Sequence, residues 1–276
     1  MTLDRIGLQK ITRVIKCIHS HYASIIIILY VFFSLLSSLS TIAKAPKEII
    51  ISAAISLKDG FIEIGKLYEE RTGVKINFNF GASGVLQKQI ESGAPVDVFA
   101  SAGEKQMDEL EAKDLIVKES RSDFARNTLV LVTSVDSKSN LSSFNELDST
   151  KVTRVAVGSP KTVPAGQYTQ QLLTNMMLWN KIQPKLIFAE NVRQVLDYVV
   201  RGEVEAGIVY ASDILIAQDK ATIAARAPEN FHDPILYPIA VIKESRNHNA
   251  AMGFVGFVLR SEGQSILSRY GFLGVR

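Results

Sequence analysis

Five short stretches place hydroxyls or helix-start N–H groups where an extended run gives way to a helical pattern. They are Ala53-Ala54-Ile55-Ser56-Leu57-Lys58-Asp59, Gly81-Ala82-Ser83-Gly84, Val163-Pro164-Ala165-Gly166-Gln167-Tyr168, Glu190-Asn191-Val192-Arg193-Gln194 and Ala206-Gly207-Ile208-Val209-Tyr210-Ala211-Ser212-Asp213. The first N–H groups of a helix lack intrahelical acceptors and sit at the positive end of its dipole. Such a start, above all behind a glycine-bracketed turn, holds anions. Only Lys58 and Arg193 bring positive charge near these turns, and each has room to point outward. A donor set without a cation suits a small, fully deprotonated oxyanion. An anion that kept a proton would find no carboxylate to accept it, at about 1–3 kcal/mol for the unpaired group. Hydrogen phosphate would be rejected on that ground.

Each stretch also has an ordinary structural reading. Ser56 with Asp59 three residues on, and Asn191 with Gln194, have the spacing of helix caps. Pro164-Ala165-Gly166 is a common turn, and Tyr210 could simply pack at a strand end. It is the combination that points to a ligand. A hydrolase reading is weaker. Gly81-Ala82-Ser83-Gly84-Val85 lacks the second glycine of a G-x-S-x-G elbow, and Ser56-Leu57-Lys58 is not S-x-x-K. After residue 45 the candidate bases are His232 and His248, both in polar stretches. No enzyme is expected.

The elements that must position these turns alternate regularly. Strands are expected over Glu48–Ala54, Val74–Phe80, Val96–Ser101, Thr128–Thr133, Arg154–Gly158, Leu186–Ala189, Ala206–Tyr210 and Tyr237–Lys243. Helical spacing follows at Leu57-Phe61-Ile64-Tyr68, Val85–Ser92, Glu104–Ala112, Gly166–Trp179, Val192–Arg201, after Asp213, and around Phe254–Leu259 and Gly263–Tyr270. Such alternation predicts an α/β fold of mostly parallel sheets flanked by helices. Polar stretches at Ser134–Ser143 and Ser245–Asn249 favour two lobes over one. The lobes are expected over 46–126 plus 238–276 and over 127–237, with a ligand cleft between them.

The 276 residues are 47% apolar and 21% charged, ordinary for a chain with a sizeable core. The formal charge of +3 is unevenly placed: residues 1–45 carry +4, leaving −1 for the rest. Without a basic stripe in that remainder, nucleic acid is excluded as a partner. Residues 1–45 read as an export signal: a basic start from Arg5 to Lys16, an apolar core over Ser24–Leu36, and small residues around 43–45 where cleavage is expected. Cys17 precedes the apolar core, so it cannot carry a lipid anchor after cleavage, and the mature chain would have no cysteine. The expected location is the periplasm.

Beyond residue 45 the chain resembles the periplasmic molybdate-binding proteins of ABC importers. The matching stretches are A-A-I-S-L at 53–57, F-G-A-S-G at 80–84, Q-I-E-S-G-A-P-V-D-V-F at 89–99, V-P-A-G-Q-Y at 163–168, E-N-V-R at 190–193, G-I-V-Y-A-S-D at 207–213, Y-P-I-A-V at 237–241 and R-Y-G-F at 269–272. The resemblance implies a type II periplasmic-binding-protein fold that hinges over its ligand. It implies hydroxyl and N–H donors from Ser56 and Ser83, backbone N–H donors from Ala165 and Val192, and the hydroxyl of Tyr210. These groups would contact the oxygens of molybdate or tungstate, with no direct metal ligand and no cofactor. It further implies an ABC permease with its ATPase subunit as partners, and a monomeric shuttle. Ala82 and Gly84 stand where family members often carry a run of serines. Sulfate, another proton-free dianion, is the alternative ligand, and a secreted serine hydrolase the alternative activity.

Overall fold

The computed structural model describes residues 48–217 and 219–275; the export-signal reading, with Cys17, lies outside them. β1 (Glu48–Ala54) follows the simplest rule. Ile49, Ile51 and Ala53 have no exposed surface, as befits a strand covered on its core face. β2 (Lys75–Gly81) alternates Lys75, Asn77 and Asn79 with Ile76, Phe78 and Phe80, the pattern of a sheet edge with one wet face. Between them runs α1 (Lys58–Thr72), which buries Phe61, Ile64 and Tyr68. Phe61 meets Phe78, Phe124 and Phe254, so one aromatic cluster joins helix and sheet.

Two five-stranded sheets result. The first has the order β2-β1-β3-β10-β4, with β3 at Val98–Ala100, β4 at Ser122–Arg126 and β10 at Leu236–Val241. The second has the order β7-β6-β8-β5-β9. Its strands are β5 (Leu129–Ser134), β6 (Val155–Gly158), β7 (Leu186–Ala189), β8 (Ala206–Tyr210) and β9 (Ala221–Arg226). Each sheet is mixed where mostly parallel pairing is expected. β1 runs parallel to β2 and β3, and β6 to β7 and β8. β10 and β5 lie antiparallel to both their neighbours. These two strands follow the crossings between sheets, so their direction is set by a chain that has just changed lobe. The edge strands β4 and β9 have no counterpart in the sequence-based expectation. Pro238, unable to donate, sits at a register shift in β10.

The helices keep to their own sheets. α1, α2 (Ser83–Glu91), α3 (Glu104–Ala112), α8 (His248–Leu259) and α9 (Ser261–Arg269) pack with the first. α4 (Pro164–Asn175), α5 (Trp179–Ile182), α6 (Val192–Val200) and α7 (Ala211–Ile214) pack with the second. The helix expected over Gly166–Trp179 is thus broken. Met177 takes a left-handed φ of 59°, and the Leu178 N–H returns to the Leu173 carbonyl at 2.7 Å, closing a Schellman stop without glycine. The helix after Asp213 is a single turn, α7, which already contains Asp213. Among the described residues no helix is long and apolar enough to cross a membrane.

At the crossing, Asn127 ties the lobes. Its side-chain Oδ1 accepts the Thr128 N–H at 2.9 Å, and its side-chain Nδ2 donates to Ser212 Oγ at 2.8 Å and to the Tyr237 hydroxyl at 3.3 Å.

Candidate functional site

All five turns end at the boundary between the two sheets, and a chain of contacts joins them. The first departs from its expected role. Residues Ile55–Leu57 wind as a 3₁₀ turn ahead of α1, so the helix start falls at Leu57 and Ser56 does not cap it. The freed Ser56 Oγ lies 3.2 Å from the Tyr237 hydroxyl instead. Asp59, the other half of the expected box, turns to Arg193 Nη2 at 2.7 Å.

In the second turn, Ala82 is extended and Ser83 opens α2. Ser83 is fully buried, and its Oγ accepts the Ala102 N–H at 3.0 Å. That leaves the hydroxyl proton free to be donated. Gly84 N–H crosses to the other lobe and reaches the Thr162 carbonyl at 2.9 Å. A Cβ on Gly84 would stand 2.6 Å from that oxygen, so only glycine permits this approach.

The third and fourth turns lie on the second lobe. Pro164 occupies the first position of α4, where its missing N–H costs nothing, and Ala165 follows with no exposed surface. Gly166 packs directly on the Gly158 carbonyl and leaves no room for a side chain. Asn191 caps α6 as expected, its side chain accepting the Gln194 N–H at 3.0 Å. Gln194 answers one residue earlier than expected, with its Oε1 on the Glu190 N–H at 2.7 Å.

Tyr210 completes the chain. Its hydroxyl donates to the Ala102 carbonyl across the lobes at 3.0 Å, and its ring lies 5.7 Å from that of Tyr237. Burial pushes both phenols far above their ordinary range, so both remain neutral hydroxyls. Ser83, Ala102, Tyr210, Tyr237 and Ser56 are thereby linked in sequence. Neither Ala102 nor Tyr237 is among the contact residues expected from sequence. Tyr237 lies inside the Y-P-I-A-V stretch, but Ala102 acts through its backbone and leaves no side-chain signal.

The donors that remain define the chemistry. Ser56, Ser83, Ala165 and Val192 each lie in the first turn of a helix or 3₁₀ turn, where backbone N–H groups have no intrahelical acceptor, and all four residues are buried. Four such helix starts at one boundary can together serve an external anionic acceptor. The two cations that neighbour these turns in sequence are turned to other duties. Arg193 is held between Asp59 and the fully buried Asp213, and Lys58 is exposed. Burial raises the Asp213 carboxyl to about 6, against the opposing pull of Arg193. Neither serine has a base beside it: His232 Nδ1 meets the Asp233 carbonyl, and His248 begins α8. Among the described residues no group of His, Cys, Asp and Glu is placed to hold a metal.

The chain is similar to known proteins over most of its length. The model of the family "bacterial extracellular solute-binding protein" matches residues 49–273. The molybdate-binding protein ModA of Escherichia coli is 35% identical over 82% of this chain and 88% of its own length. A solved substrate-binding domain assigned to a molybdenum ABC transporter from Clostridium difficile is 43% identical, with a TM-score of 0.66 over 83% of this chain and 99% of that one. The periplasmic molybdate-binding protein of Azotobacter vinelandii, 23% identical, superposes with a TM-score of 0.75 over 83% of this chain and all of that one. At that identity the likeness speaks for the two-lobed fold.

Proposed function

The chain belongs to the bacterial extracellular solute-binding proteins, and on that premise we propose that it captures molybdate and hands it to an ABC permease. The observation that carries the reading is the set of four buried residues in first helical turns, Ser56, Ser83, Ala165 and Val192, joined by the Ser83 Oγ, which accepts the Ala102 N–H and keeps its own proton to donate. A tetrahedral dianion offers acceptors in every direction and needs no acceptor in return. Ser56 and Ser83 would supply hydroxyl and backbone donors from one lobe, Ala165 and Val192 backbone donors from the other. Tyr210 has one proton, now on the Ala102 carbonyl, and would turn it to the ion on binding. Tungstate, of nearly the same size and shape, would enter the same shell.

In this reading the lobes, 46–126 with 238–276 and 127–237, part to admit the ion and close over it. The contact Gly84–Thr162 belongs to the closed arrangement. The protein works outside the cytoplasmic membrane as a monomer after removal of residues 1–45, docks on a permease with its ATPase subunit, and catalyses no reaction. The test is thermal unfolding with molybdate, tungstate, sulfate or phosphate added separately. Ligand at a hundred times its dissociation constant stabilises by about 2.7 kcal/mol. Stabilisation by molybdate and tungstate alone is expected. Stabilisation by sulfate, or by no oxyanion, overturns the ligand assignment.

A further inference from the structure

Arg193 follows Val192 directly, and its guanidinium reaches in two directions. Nε lies 3.1 Å from Asp213 Oδ1, within the same lobe. The other oxygen of Asp213 accepts the backbone N–H of Tyr210 at 3.2 Å. Nη2 lies 2.7 Å from Asp59 Oδ2, on the first turn of α1 in the opposite lobe and three residues after Ser56. One side chain thus ties together the turns of Val192, Tyr210 and Ser56.

The two halves of this arrangement differ. Asp213 has no exposed surface, so its pair with Arg193 lies inside one lobe and survives any movement of the other. Asp59 is 36% exposed and stands on the far side of the boundary, so its pair must break if the lobes part. We propose that Asp59 is a positioning residue for ligand retention: it captures the Arg193 guanidinium when the lobes close, and so slows release of the bound oxyanion. Asp213 holds the guanidinium ready in the open form. The inference rests on the oxyanion reading above, since the bridge has a purpose only if closure traps a ligand.

Electrostatics alone predicts the opposite sign, which makes the idea testable. One cation between two carboxylates leaves a net charge of −1 beside the site, and a dianion would gain from its removal. Asp59→Asn removes that charge and the bridge together. The experiment loads the full protein with labelled molybdate and follows its release during a chase with unlabelled molybdate. Calorimetry on the same samples gives affinity, and unfolding without ligand gives stability. The bridge predicts that Asp59→Asn releases molybdate about fivefold faster, in the range of a single partly exposed ion pair. The association rate should stay within about twofold. Ligand-free melting should be unchanged, as expected for a contact made on closure. Asp59→Glu should recover part of the retention. Unchanged or slower release from Asp59→Asn, or tighter binding, overturns the bridge while leaving the oxyanion reading intact. Wild-type protein that binds neither molybdate, tungstate nor sulfate overturns the oxyanion reading and this inference with it.

Discussion

In the proposed site the two lobes would meet the ligand with different kinds of donor. The first brings serine side chains, Ser56 and Ser83, each already in contact with a neighbour: Tyr237 for one, Ala102 for the other. The second, apart from the Tyr210 hydroxyl, brings backbone N–H groups at the starts of α4 and α6, where the side chains of Ala165 and Val192 are buried in the core. A hydroxyl can be removed by one substitution. A backbone donor moves only when its helix moves. Function in the first lobe is therefore local, whereas in the second it is inseparable from packing.

The sharpest break of this contrast is Gly166→Ala. A methyl there would collide with the Gly158 carbonyl, and overpacking of this kind costs about 1–3 kcal/mol. It should lower the melting temperature and abolish molybdate binding together, because the helix carrying Ala165 must shift. Calorimetry and thermal unfolding check this; full affinity in a stable variant would show that the second lobe's donors are not held by that packing.

Ser83→Ala comes next. It deletes the donor to the ligand and strands the Ala102 N–H, each loss costing about 1–3 kcal/mol. Affinity should fall about 5- to 150-fold by the usual conversion of that energy. The ligand-free protein should lose stability as well, because Ala102 is buried. Val192→Pro sharpens the comparison from the other side. Val192 is the first residue of α6, where proline is accepted, and Asn191 before it is extended, at φ −160° and ψ 170°. The substitution removes one N–H and strands no partner. Affinity should fall by about 1.5–3 kcal/mol, the range of one hydrogen bond to a charged group, with a smaller loss of melting temperature than in Ser83→Ala, from the part of the buried valine's packing that proline does not replace. A fall in melting equal to that of Ser83→Ala would erase the distinction between the lobes.

These expectations lean on features of unequal legibility in the sequence. The bounds of β1, β7 and α3 follow from apolar runs or helical spacing and are found where expected. The edge strand Ser122–Arg126 is mostly polar and Ala221–Arg226 is rich in alanine, so neither has the run of large apolar residues that betrays a covered strand. The stop after Asn175 escapes because Met177, not glycine, takes the left-handed conformation. In the site, the serine and helix-start turns are readable because each is a local pattern. The cap expected of Ser56 fails because a 3₁₀ turn intervenes, and nothing local separates the two outcomes. The Asp59–Arg193 contact spans 134 positions and became visible only with the fold.

The smallest expected effect sets one carboxylate from each lobe against the other. Glu91, on α2, is held down to about 2 by Lys113 and Lys88, with Gln87 adding a bond. Its folded value lies below its ordinary 4.5, so its contribution to stability is full above that pH and is lost as pH falls toward 2. Asp213 is buried and raised to about 6 from 3.8, with Arg193 and the Tyr210 N–H opposing the rise and Asp59 adding to it. Folding therefore favours its protonated form: its contribution is full below 3.8 and is lost as pH rises through 6. The two lobes thus push the acid limb of the stability curve in opposite directions. Glu91→Gln should flatten the segment below 4.5, and Asp213→Asn the segment between 3.8 and 6. Melting temperatures measured across that range separate them. An unaltered slope in Asp213→Asn would mean that Arg193 keeps the carboxylate ionised in the folded chain despite its burial, and that the guanidinium outweighs desolvation at the heart of the second lobe.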